Sequence, residues 1–96
     1  MNILLIGGGG FIGGHIAKDL DKDHTVVSID KKYGTNINNP ADLDLISSNY
    51  DAVIFLAAEP NLAAVKRDPI TATHTMTSGL INCLAKFTNS HFVFFS

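Results

Sequence analysis

Short apolar runs alternate along the chain with longer stretches that have helical spacing. The apolar runs predict four β-strands, over residues 2–6, 25–29, 50–57 and 92–95. The intervening stretches predict three helices, over residues 11–20, over 40–46 with Pro40 in the first turn, and from Asp68-Pro69 onward. For the last helix we expect an inward-facing stripe made of Ile70, Thr73, Thr77, Leu80, Ile81, Leu84 and Ala85.

Strands and helices that alternate in this way predict an α/β fold. Strands that are apolar on nearly every residue indicate a parallel sheet with helices on both faces. Right-handed crossovers between parallel strands then give a Rossmann-type, doubly wound sheet of about four strands in the order 3-2-1-4. A chain of 96 residues forms one such domain at most.

Composition excludes some kinds of partner. The chain is 46% hydrophobic and 17% charged, has a net charge of −2, and has no block of basic residues, so we expect no nucleic-acid partner. No apolar run approaches the roughly 18 residues of a membrane span. Cys83, the only cysteine, cannot form an internal disulfide and is predicted to be a small core residue. We therefore expect a cytoplasmic protein.

Glycine is concentrated between the first strand and the first helix. Gly7, Gly10 and Gly13 have the spacing G-x-x-G-x-x-G. The first would allow a tight turn, the second close approach of a pyrophosphate, and the third close packing of the helix, whose free amide groups would hold the phosphates. The alternative is a flexible turn with surplus glycine, and the strand before and the helix after the loop argue against it.

An acidic residue ends the second strand. In a dinucleotide-binding fold, a carboxylate at the position of Asp30 accepts hydrogen bonds from the adenosine ribose and repels a 2′-phosphate. The pattern therefore favours NAD over NADP, although the neighbouring Lys31 and Lys32 could tolerate a phosphate. The alternative is an aspartate that merely ends a strand in a turn.

Residues 7–15 read G-G-G-G-F-I-G-G-H, and residues 51–58 read D-A-V-I-F-L-A-A. These two runs resemble the motifs G-x-x-G-F-I-G-S-H and D-x-V-x-H-L-A-A in the amino-terminal half of one family, the extended short-chain dehydrogenases/reductases, which are NAD-dependent nucleotide-sugar epimerases and dehydratases. Gly79 and Asn82 match its G-T-x-N-L-L, and residues 92–96 resemble its R-F-V-Y-x-S. The resemblance covers the whole chain.

The resemblance implies a set of cofactor contacts. Phe11 and Ile12 would bind pyrophosphate through their backbone amides, Asn36-Ile37 would contact the adenine, and the stretch from Leu56 would line the nicotinamide half. With the residues of the glycine loop and the ribose site, the predicted cofactor-binding residues are Gly7, Gly10, Phe11, Ile12, Gly13, Asp30, Lys31, Asn36, Ile37, Leu56, Ala57 and Ala58. Three departures, Ile6 for Thr, Phe55 for His and Met76 for Asn, favour packing over polar organisation.

The family's chemistry needs a Tyr with a Lys four residues later on one helix face. The chain has only Tyr33 and Tyr50, which are followed at that spacing by Ile37 and Ile54. The histidines, Cys83 and Glu59 show no metal-ligand spacing. We therefore predict no catalytic or metal-binding residue, and a chain that is inactive by itself.

These observations predict that residues 1–96 are the NAD-binding domain of a longer epimerase/dehydratase-like enzyme, which would meet its nucleotide-sugar substrate only through its other half. Two alternatives stay open. One is a self-contained, non-catalytic NAD-binding or regulatory module, in which the apolar fourth strand could pair with a second copy to form a homodimer. The other is a remnant that binds nothing.

Overall fold

Every predicted strand and helix in the described part of the chain forms. The computed structural model describes residues 1–56 and 66–94. The elements are β1 (Asn2–Ile6), α1 (Phe11–Leu20), β2 (Thr25–Ile29), α2 (Pro40–Asp44), β3 (Ala52–Phe55), α3 (Pro69–Lys86) and β4 (His91–Phe94), with one turn of 3₁₀ helix at Lys31–Tyr33. Thus β1, α1 and β2 have the predicted bounds, whereas α2 and β3 are shorter than predicted.

The four strands form one parallel sheet, so the predicted fold class is confirmed. Numbered along the chain, the strand order is β2-β1-β3-β4, whereas the order 3-2-1-4 placed the third strand beyond the second. The burial of the strands agrees with the observed order. Thr25 and Val27 leave β2 exposed at alternate positions, as at a sheet edge, whereas Val53 and Phe55 make β3 an interior strand.

The helices cover both faces because β2 and β3 lie on opposite sides of β1, so the chain moves across the sheet in one direction to β2 and in the other direction to β3. Right-handed crossovers from β1 to β2 and from β2 back to β3 run on opposite faces of the sheet. One face carries Leu4 and Ile6, which pack in the main core cluster with Leu43 of α2 and Cys83 of α3. The alternate residues of β1, Ile3 and Leu5, are also buried. The strand is therefore buried on both sides, which explains its continuous apolar sequence.

The predicted inward stripe of α3 is confirmed at Leu80, which packs against the core cluster, and is wrong at its other large apolar residues. Ile70, Ile81 and Leu84 are 72%, 57% and 44% exposed, and the buried residues of the helix are Gly79 and Cys83. Both sides of α3 carry apolar residues at helical spacing, so periodicity did not distinguish them. The helix packs through its smaller residues because they let its backbone approach the rest of the fold closely.

Hydrogen bonds of the side chains before α2 and α3 fix where each helix begins. Asn39 accepts a hydrogen bond from the backbone amide of Ala41. Asp68 accepts from the backbone amide of Thr71 at 3.1 Å and from its hydroxyl at 2.7 Å. These two bonds, the hydroxyl first, hold the pKa of Asp68 below its ordinary value. Both caps precede a proline in the first turn, and the sequence predicted these two prolines at the helix starts.

The prediction that Cys83 is a core residue is confirmed, since its side chain is fully buried. Burial raises the pKa of its thiol to about 11, because the thiolate would lose its hydration. The folded-state pKa lies above that of an exposed thiol. Burial of the neutral thiol therefore contributes stability at lower pH, and the contribution is lost as the pH rises toward about 11.

We expect the thiol of Cys83 to react only when the protein unfolds. At pH 8, a pKa raised by about two units leaves roughly 100-fold less thiolate than in the unfolded chain, and burial adds a steric block. The rate of reaction with a chromogenic disulfide should therefore be slow in buffer and fast in concentrated urea. Equal rates in both solvents would contradict the burial of this residue.

Candidate cofactor-binding site

A cavity of about 360 Å³ opens at the carboxyl ends of β1, β2 and β3. It lies where the crossovers from β1 and β2 diverge to opposite faces, which is where ligands bind in open α/β sheets. Its walls come from the ends of the strands, the glycine loop, residues 35–38 and one side of α3. The lining residues are Ile6, Gly7, Gly10, Ile29, Asp30, Lys31, Thr35, Asn36, Ile37, Asn38, Leu56, Ala72, Thr75 and Met76.

The glycine loop turns sharply out of β1 and is tied to β2. Gly7 has a φ of +86°, which residues with a side chain rarely adopt. The backbone amide of Gly7 donates to the carbonyl of Ile29 at 2.8 Å, and that of Gly8 to the same oxygen at 3.3 Å. The first glycine therefore makes the tight turn that the sequence predicted, and the turn continues the hydrogen bonding of the sheet.

Gly13 packs against the loop rather than against the sheet. A Cβ at this position would lie 2.8 Å from the carbonyl oxygen of Gly7 and 2.8 Å from the Cα of Gly8. Gly10 precedes α1 in an extended conformation, and a Cβ there would have no atom within 4 Å. Gly13 therefore allows α1 to start directly behind the loop, and Gly10 leaves the approach to the helix open.

The start of α1 can bind an anion. Gly10 has no side chain to cap the helix, and no side chain among the described residues makes the cap hydrogen bond. The first backbone amides of the helix therefore point out of it with the positive end of the helix dipole behind them. Such a helix start is suited to phosphate groups.

Asp30 connects the glycine loop to the end of β2. One oxygen of its carboxylate accepts the backbone amide of Gly9 at 2.9 Å, and the other accepts that of Lys32 at 3.0 Å. The Lys32 ammonium lies 3.4 Å from the carbonyl oxygen of Gly9. A carboxylate has about four acceptor positions, so positions remain for the two hydroxyls of a ribose. Asp30 is thus both a candidate ligand and a support of the loop.

Residues 36–38 form the wall of the cavity opposite the glycine loop. The backbone amide of Asn36 donates to Asp42 at 2.9 Å, and its side-chain oxygen accepts the amide of Asn38 at 3.0 Å. The carbonyl of Ile37 accepts from the side chain of Asn82 at 3.0 Å. This wall is therefore an ordered turn without helix or strand structure.

The structure brings most of the predicted cofactor residues together around one cavity, with Gly7, Gly10, Asp30, Lys31, Asn36, Ile37 and Leu56 in its lining. Phe11 and Ile12 stand at the start of α1, are 83% and 58% exposed, and do not line the cavity. Gly13 lies behind the loop. Ala57 and Ala58 lie outside the described residues.

Sequence reasoning missed the contribution of α3 to the cavity. Ala72 and Met76 are four positions apart on one side of the helix, and Thr75 lies between them. Met76 was noted only as a departure from the family pattern. The spacing of Ala72 and Met76 could have indicated this side of the helix. The exposed side of α3 carries more apolar residues, and the sequence analysis therefore favoured that side. Ile29, Thr35 and Asn38 were missed because they flank predicted residues.

Within residues 1–56 and 66–94, no group of three or more His, Cys, Asp or Glu side chains could hold a metal ion. No helix in this part of the chain is long and apolar enough to cross a membrane.

The parallel sheet, the glycine turn and the helix start at the cavity define a Rossmann-type nucleotide-binding fold. The model of the NAD dependent epimerase/dehydratase family matches residues 3–96. The chain belongs to this family. Among curated proteins, none matches the sequence significantly.

Solved structures agree with this assignment. The chain is similar to the UDP-glucose 4-epimerase of Thermotoga maritima solved with UDP-glucose, with 27% identity and a TM-score of 0.85 over 98% of this chain and 37% of that one. The Thermus thermophilus UDP-glucose 4-epimerase complexed with NAD is 22% identical, with a TM-score of 0.76 over 90% and 33%. The Bordetella bronchiseptica enzyme WbmF, in complex with NAD⁺, is 21% identical, with a TM-score of 0.76 over 97% and 35%. The chain thus spans about a third of the length of these proteins.

Adjacent glycines of α1 should respond in opposite ways to alanine. Gly13→Ala places a methyl group against the backbone of the loop, so we expect a loss of about 1–3 kcal/mol in the free energy of unfolding. Gly14→Ala places it in open space on the same helix, so we expect a gain of about 0.5–1 kcal/mol. Urea unfolding of both variants measures this. Equal effects would contradict the close packing at Gly13.

Proposed function

We propose that this chain binds NAD and is the cofactor-binding domain of an epimerase/dehydratase-like enzyme. The observation that carries the proposal is the position of Asp30. Its carboxylate lines the cavity beside the glycine loop, with acceptor positions left after its two backbone hydrogen bonds. A ribose with both hydroxyls free suits this carboxylate, and a 2′-phosphate would be repelled by it.

The other walls fit the remaining parts of the cofactor. The backbone amides of Phe11 and Ile12 at the start of α1 would hold the pyrophosphate, which Gly10 leaves room to approach. Ile37 and Asn36 would contact the adenine. Leu56, at the end of β3, would lie on the nicotinamide side. The bound cofactor would supply the hydride acceptor, and the chain would supply its position.

We propose that the proton-transfer residues and the sugar contacts come from outside these 96 residues. Tyr33 is 59% exposed in the 3₁₀ turn, and Tyr50 packs against Phe87 with ring centroids 6.3 Å apart. Neither has a lysine four residues later. The Thermotoga maritima epimerase was solved with UDP-glucose, which supports a nucleotide sugar as the substrate class. A cytoplasmic location, without a nucleic-acid or membrane partner, stays a prediction.

The edge of the sheet at β4 supports a second proposal, that another strand pairs with it. β4 pairs with β3 on one side, and Val93 and Phe94 are 38% and 56% exposed. The strand could come from a longer form of the protein or from a second copy in a homodimeric binding module. Light scattering during size-exclusion chromatography separates these: a monomer at high concentration would count against pairing between copies.

Calorimetric titration with NAD and NADP tests the main proposal. We expect NAD to bind at least about tenfold more tightly than NADP. We expect Asp30→Asn to lower the affinity for NAD and to reduce the difference in affinity between the two cofactors. The control is Asp51→Asn. Asp51 also accepts a backbone amide, that of Asn2 at 2.7 Å, but it lies at the amino end of the sheet. No heat from either cofactor at millimolar concentration, or tighter binding of NADP, would contradict the proposal.

A further inference from the structure

The turn formed by residues 36–38, here called the wall loop, lines the cavity without being part of a helix or strand. Its local hydrogen bonds join residues two and six positions apart. The bond from Asn36 to Asp42 also ties the turn to α2, and Ile37 packs against the core cluster. The position of the turn relative to α3, which lines the same cavity, depends further on contacts with residues far away in the sequence.

Two residues of α3 hold the wall loop at Ile37. The Asn82 side chain donates to the carbonyl of Ile37 at 3.0 Å, across 45 positions of sequence. At Gly79, a Cβ would lie 2.7 Å from the Cδ1 and 2.9 Å from the Cγ1 of Ile37. Gly79 and Asn82 are three positions apart and therefore neighbours on the helix surface. Together they contact both the backbone and the side chain of Ile37.

The same helix also lines the cavity directly. Met76 and Ala72 lie about one and two turns before Gly79, and both line the cavity. Thus α3 supplies one wall and, through Gly79 and Asn82, sets where the wall loop stands relative to it. The width of the space between Ile37 and Met76 follows from these contacts.

We infer that Gly79 and Asn82 are positioning residues that fix the adenine side of the cofactor cavity. The inference rests on the proposed binding of NAD, because it gives the space beside Ile37 to the adenine. Neither residue lines the cavity, so each acts through Ile37. If they have this role, replacing either residue weakens the binding of any ligand that carries adenosine, while the fold itself persists.

Removing the amide of Asn82 tests the hydrogen bond. Asn82→Leu deletes the donor, and Asn82→Asp replaces it with an acceptor that repels the carbonyl of Ile37. We expect each variant to lower the affinities for AMP and for NAD by the same factor, about five- to tenfold. This is the usual effect of one lost hydrogen bond. Asn89→Leu, the same change on an exposed turn, should leave both affinities unchanged.

Gly79→Ala, tested with and without Ile37→Ala, separates positioning from general stability. We expect Gly79→Ala alone to lower the affinity for AMP about tenfold, because the new methyl group pushes Ile37 toward the cavity. In the Ile37→Ala background that side chain is absent, so adding Gly79→Ala should change the affinity for AMP less than about twofold. An equal loss in both backgrounds would overturn the positioning role.

Amide hydrogen exchange without ligand distinguishes the failure of this inference from failure of the proposed function. We expect Asn82→Leu to speed exchange at Asn36 and Asn38 while the strands exchange as before. Unchanged exchange there, or wild-type affinity for AMP, would overturn the inference alone. A wild-type chain that binds neither AMP nor NAD would overturn the proposed function, and with it the assignment of the adenine side.

Discussion

The hydrogen bond from the Gly9 amide to the Asp30 carboxylate is the interaction on which the candidate site depends. It joins the loop after β1 to the end of β2, so one contact holds both the group proposed to bind phosphate and the group proposed to bind ribose. A Cβ on Gly9 would lie 2.8 Å from the same oxygen, so the contact requires glycine. The geometry of the glycine loop and the position of the carboxylate that follows β2 therefore depend on each other.

The switch of the chain around β1 explains why the cavity lies where it does. Because β2 and β3 flank β1, the crossovers before and after β2 separate at the carboxyl end of the sheet and leave space there. Small residues keep this space open: Gly10 beside the helix start, and Ala72 on α3. Larger apolar residues, such as Ile6, close its base. The chain belongs to an NAD dependent family, which supports the proposal that a dinucleotide binds in this space.

Much of the fold could be predicted from the sequence, but only part of the site could. The bounds of β1, α1 and β2 follow from glycine positions and short-range periodicity. The buried side of α3 did not, because apolar residues occur on both sides and packing at Gly79 decides between them. The contact of Asn82 with Ile37 joins residues 45 positions apart, and no local pattern indicates it. Asp30 was predicted as a ribose ligand, whereas its bond to Gly9 depends on side-chain orientation.

The most direct test of the account is a two-dimensional amide NMR spectrum of the ¹⁵N-labelled chain during titration with NAD. The account predicts that the amide resonances of the glycine loop and helix start, residues 9–12, and of residues 36–38 shift in a saturable way. Those of Asn2 and Asp51, at the amino ends of the strands, should not shift. A spectrum that NAD leaves unchanged, or one whose shifts cluster at the amino ends of the strands, would contradict the account.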